Sequence, residues 1–105
     1  MRIELLWFED CPNHAAARTM IAEALADAGA SAEVTAIEVP DLETGNRVCF
    51  PGSPTIRVDG EDIEPGWQPC ADCTPRCRIY LTPEGLRGLP PRAWLADAIR
   101  RHHAA

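Results

Sequence analysis

Residues 2–14 read Arg2-Ile-Glu-Leu-Leu-Trp-Phe-Glu-Asp-Cys-Pro-Asn-His14, and their reading decides the fold. Ile3, Leu5 and Trp7 alternate with Glu4, Leu6 and Phe8, so both faces of an extended segment are largely apolar. Such a segment predicts a strand in the interior of a sheet rather than at its edge. After Glu9 and Asp10 comes Cys11, at the expected mouth of a helix, with Pro12 in the first turn, where a missing N–H costs nothing. Ala15, Ala16, Met20, Ile21, Ala24, Leu25 and Ala28 then recur at helical spacing. Gly29 suits the position just past a helix end, where a left-handed residue stops the turn.

Working outward, Ala32–Val39 predicts a second strand, and Pro40-Asp41 opens a short helix over Leu42–Phe50 that Gly45 weakens. Pro51-Gly-Ser-Pro54 reads as a turn before the strand Thr55–Val58, and Asp59-Gly60 is a hairpin signal that returns the chain through Glu61–Glu64. Residues 65–76 carry three prolines and no periodicity, which makes them a long loop of functional or metal-organised type. Arg78–Leu81 suits a short extra strand, followed by the turn residues Thr82–Gly85. From Pro91 a last helix presents Trp94, Leu95, Ala98 and Ile99 as one apolar stripe, and the tail 100–105 is expected to fray. The order is β-α-β-α-β-β, an extra Cys-rich loop, then α, in a single α/β domain spanning 1–105 with a mixed central sheet and flanking helices.

The chain has 105 residues, enough for one core, and 46% of them are apolar, so disorder is not expected. The net charge is −6, and all ten basic residues are Arg, with no run among them. That excludes a nucleic-acid footprint and an electrostatically held membrane partner. No apolar run is long enough for a signal-peptide core or a membrane span, which leads to a cytoplasmic expectation. Five cysteines in such a chain point to thiol, redox or metal chemistry rather than to a secreted disulfide framework. Monomer or weak homodimer is the expected state.

Strand, Cys-Pro-x-x at a helix start, strand, helix, Ser-Pro-Thr before a hairpin and a closing helix together resemble the thioredoxin fold. More narrowly, the chain resembles small bacterial thioredoxin-like proteins, often labelled alkylmercury-lyase-like. The residues that carry the likeness are Phe8–Pro12, Gly52–Thr55 and Cys77-Arg78-Ile79-Tyr80. Glutaredoxin-like members have Cys-Pro-x-Cys in the first place, whereas this chain has Cys11-Pro12-Asn13-His14. A resolving thiol must therefore come from elsewhere, Cys77 or Cys73 by position. By the resemblance, Ser53 and a cis Pro54 contact a thiol substrate, with Pro12 beside them.

The residues themselves set out the chemistry expected. A cysteine at a helix N-terminus sits where unpaired N–H groups favour an anion, and the thiolate is the reactive form. Glu9 and Asp10 oppose that unless they point away. His14 lies one turn beyond Cys11, near enough to favour the thiolate or act as a base, or else it is an ordinary exposed helix histidine. Ser53 backbone groups are expected to be free to pair with an extended thiol ligand. Cys70, Cys73 and Cys77 form a second constellation able to hold zinc or another thiophilic metal, to form a disulfide, or to supply the resolving thiol. Cys49 is expected in the core, and Trp67 either covers a site or pins the loop. The function expected is thiol-dependent redox chemistry with Cys11 as nucleophile on a small thiol or protein disulfide, no cofactor being required. Metal binding through Cys70, Cys73 and Cys77, or a non-catalytic interaction module, stands as the alternative.

Overall fold

A computed structural model describes residues 1–69 and 71–103. Strand β1, Arg2–Trp7, lies in the sheet interior as its two apolar faces require. It pairs in parallel with β2, Glu33–Glu38, and antiparallel with β3, Thr55–Val58. A two-residue strand, β4 at Glu61–Asp62, adds antiparallel to β3, so the mixed sheet runs β2-β1-β3-β4. The β3–β4 turn is made by Asp59 and Gly60, both at positive φ, as a two-residue hairpin with matching twist demands.

Alternate residues of β1 feed two cores. Ile3 and Leu5 pack with Ala17, Ile21 and Ala24 of α1, His14–Ala28, and with Leu95, Ala98 and Ile99 of the last helix. Leu6 points the other way, into a smaller cluster with Val39, Phe50 and Cys73. Val48 of α2, Leu42–Val48, packs against this cluster, and the helix N-terminus is capped by Asp41 accepting from the Thr44 N–H at 2.8 Å. That cap holds the Asp41 carboxyl below its usual range. The radius of gyration, 12.9 Å, is that of one compact body at this length.

Several boundaries depart from the sequence expectation. Helix α1 begins at His14 with Asn13 as its cap residue, so Cys11 and Pro12 lie in the preceding connection. Helix α2 ends at Val48, and Cys49 takes a left-handed C-cap conformation that turns it outward to solvent while Phe50 fills the core. Gly45 sits in α2 because a Cβ there would come within 2.1 Å of the Cys73 carbonyl oxygen. The segment around residue 73 is thus laid directly on the helix backbone.

Tyr80–Thr82 forms β5, but it pairs with β6, Gly85–Arg87, as a separate hairpin and not with the main sheet. The final helix, α3 at Arg92–His103, does not fray at Arg100. His102 lies 3.3 Å from Asp59, and Arg101 lies 3.5 Å from Glu61, which ties the last turn to the β3–β4 end of the sheet. Among the described residues no helix is long and apolar enough to cross a membrane.

Candidate functional site: a facing thiol pair

Cys11 leaves β1 through a turn in which its N–H donates to the Phe8 carbonyl at 3.0 Å. The residue is 0% exposed. Its thiol donates to the Ser53 carbonyl oxygen at 3.3 Å, a bond that uses the sulfur's proton. Ser53 is equally buried, and its peptide bond to Pro54 is cis. Pro12, by contrast, is exposed on the turn that follows Cys11.

The fourth member of the site arrives from the loop. Ser53 and Cys77 form a parallel bridge in which the Ser53 N–H donates to Arg76 O at 2.7 Å and the Arg78 N–H donates to Ser53 O at 2.8 Å. The Ser53 backbone groups are therefore not free for an extended ligand, as the sequence had implied; the chain's own residues 76–78 take both. The bridge sets Cys77 beside Ser53, whose carbonyl the Cys11 thiol bonds, so the two cysteines are neighbours. Hydrogen bonding to Cys11, then burial, then the charges of Cys11 and Asp10 push the Cys77 thiol above its ordinary value of 9.0. Cys77 itself is exposed.

A buried polar network holds the 76–78 arm in place. Arg78 is only 8% exposed, and its guanidinium grips Asp62 at 2.7 and 3.2 Å, Glu64 at 2.8 Å and the Thr55 hydroxyl at 3.0 Å. It also lies over the Tyr80 ring, 4.3 Å from the centroid. Burial pulls Arg78 down, but Asp62, Tyr80 and Glu64 together outweigh it and the net direction is up. Tyr80 donates to the Pro54 carbonyl at 2.5 Å, and burial pushes its phenol far above the ordinary value. Gly52 completes the seat: at φ +128° a Cβ would stand 2.8 Å from the Arg78 Cβ, so only glycine lets the arm lie this close.

His14 does not meet Cys11. Its ring stacks on Trp7 with centroids 4.6 Å apart, and its buried Nδ1 has no hydrogen-bond partner in the protein. The one-turn spacing fails because α1 starts at His14 itself, leaving Cys11 outside the helical register. Trp67 lies with Glu61, Ile63 and Arg101 around a depression beside β4, so it neither covers nor borders the thiols. In the second cysteine constellation, Cys70 falls outside the described residues, Cys73 is buried with Leu6 and Phe50, and Cys77 faces Cys11. Among the described residues no three His, Cys, Asp or Glu side chains gather as a metal ion would need.

Arg78, Asp62, Glu64, Gly52 and Tyr80 carry structural roles at this site that residue type alone does not announce. A signal exists in the segment 78–82, where burial alternates with a period of two: Arg78, Tyr80 and Thr82 are in, Ile79 and Leu81 out. The usual rule of apolar in and polar out is inverted there, so patterning assigns the wrong face. No protein-family model matches this chain, and no curated protein or solved structure is significantly similar to it.

Proposed function

We propose that this protein is a thioredoxin-like thiol redox protein that cycles between a dithiol and a Cys11–Cys77 disulfide. The observation that carries the reading is the meeting of the two thiols beside the Ser53 carbonyl. In exchange with a disulfide, two cysteine thiols are oxidised to one disulfide while the substrate disulfide takes up two electrons and two protons as two thiols. A small dithiol then returns the protein to its reduced form by the reverse step. Cys11 and Cys77 are the two redox sulfurs, the second being one that His14 cannot supply.

Three features support the thioredoxin-like part. β1 is flanked by parallel β2 and antiparallel β3, Cys11 lies in the β1–α1 connection, and a cis Ser53-Pro54 bond precedes β3. Exchange needs no metal or other cofactor, and its partner is a small thiol or a disulfide. The test is a redox titration of the full chain in dithiothreitol buffers, trapped by acid and mapped by mass spectrometry. A bridged Cys11–Cys77 peptide that appears and disappears with the poise is the expected result. Its absence at every poise, with both thiols alkylated singly, rejects the function.

A further inference from the structure

The two thiols differ in one respect that decides the order of events. Cys11 has no exposed surface, while Cys77 is exposed on the arm in front of it. A disulfide in solution must touch the attacking sulfur, and reactive thiols share partial exposure. Burial withholds Cys11 from that first contact unless the arm opens. We propose that Cys77 is the thiol that meets the substrate and that Cys11 resolves, the reverse of the order expected from the Cys-Pro-x-x position, and that the substrate is a small disulfide.

The substrate class follows from the same geometry and rests on the dithiol reading above. An extended peptide would need the Ser53 N–H and C=O to dock as a strand. Both are bonded to Arg76 and Arg78, and Gly52 seats the arm without a gap. The guanidinium of Arg78, buried among Asp62, Glu64 and Thr55, anchors the arm against displacement. A small disulfide needs neither backbone group, only the exposed sulfur. Asp10 places negative charge near Cys77, which favours uncharged over anionic disulfides.

The chemistry balances in two steps. The Cys77 thiolate attacks one sulfur of the disulfide, the Cys77–S bond forms, the S–S bond breaks, and the leaving thiolate takes up the proton Cys77 gave up. The Cys11 thiolate then attacks Cys77 Sγ, forming the Cys11–Cys77 bond and expelling the second thiolate, which takes the Cys11 proton. The protein has lost two electrons and the substrate has gained them.

The probe is 2-hydroxyethyl disulfide at pH 8 on the full chain carrying Cys49→Ser and Cys70→Ser, quenched with acid at early times and mapped by mass spectrometry. The first adduct is expected on Cys77. In added Cys11→Ser it should accumulate there, whereas with Cys77→Ser the adduct on Cys11 should form at least about tenfold more slowly. Denaturing the Cys77→Ser chain in urea should abolish that protection, which separates burial from a dead thiol. If Cys11 collects the early adduct, the order is overturned, and the function still stands provided the bridged peptide forms later. If adducts form on either thiol but no bridged peptide ever follows, the function itself fails. An extended disulfide peptide that reacts about tenfold or more faster than 2-hydroxyethyl disulfide would show the arm being displaced and overturn the substrate class.

Discussion

The two chain segments that meet at the site are held by different forces. The β1–α1 connection that carries Cys11 is fixed from both ends by apolar burial: Ile3, Leu5 and Leu6 on one side, Ala17 and Ile21 on the other. The 76–82 segment that carries Cys77 is held largely by polar groups, with the Tyr80 ring, edge-on to Trp94, as its large buried apolar surface. Its inward side chains are Arg78, Tyr80 and Thr82, and its outward ones are Ile79 and Leu81, at 63% and 72% exposure. Hydrogen bonds and one buried ion cluster do there what hydrophobic contact does at the other segment. Apolar burial is non-directional and tolerant, whereas a buried charge cluster is stable only when every member is in place. The Cys77 side of the pair should therefore be the more easily broken by a single change.

The strongest test of that contrast is Arg78→Ala. It leaves Asp62 as a buried carboxylate without its cation, and the expected loss is about 3–5 kcal/mol, read as a large drop in the denaturation midpoint. The same variant should also loosen Cys77, so the Cys11–Cys77 disulfide forms less readily in a dithiothreitol titration. Unchanged stability would mean the ion cluster does not hold the arm. Gly52→Ala comes next, because it meets both the positive φ and the Arg78 Cβ. A loss of roughly 1–3 kcal/mol is expected, together with faster amide hydrogen exchange at Ser53 as the bridge opens. If Ser53 exchange stays as slow as in the parent, the close seat of the arm is wrong.

Tyr80→Phe removes only the hydroxyl that donates to Pro54 O, and leaves that buried carbonyl to find another partner. About 1 kcal/mol should be lost in urea melts, with the thiol pair still intact. The smallest effect is a pH shift. Cys77 is raised by its hydrogen bond to Cys11, so Cys11→Ala removes the first cause and Cys77 falls back toward 9.0. A raised value means less thiolate at a given pH, so the variant should alkylate faster at pH 8 with iodoacetamide and show its midpoint at lower pH. A midpoint that stays put would assign the shift to burial or Asp10 instead.

Much of the fold was legible because it rests on periodicity. The doubly apolar β1 needs neighbours on both sides, and the helical spacing from Ala15 to Ala28 with Gly29 after it specifies the body of α1 and its C-terminal stop, though not its start. The Asp59-Gly60 pair likewise specifies a hairpin by backbone conformation alone. Local ends were less legible. Cys49 reads as core between Val48 and Phe50, yet a left-handed cap rotates it outward, and the C-terminal Arg and His residues read as a tail until Asp59 and Glu61 offer them partners. Reading Arg78 from its neighbours suggests a strand of ordinary polarity, since nothing near it in sequence reveals Asp62 and Glu64.

By itself, then, the amino-acid order determined a mixed α/β chain with a cysteine in the connection after its central strand, because hydrophobic alternation and turn chemistry act over a few residues. Only the tertiary structure decided that Cys77 is the thiol that faces Cys11, that Ser53 is already occupied, and that His14 stacks on Trp7 instead. Those outcomes depend on contacts between residues tens of positions apart, made by directional polar bonds whose partners the local pattern does not encode.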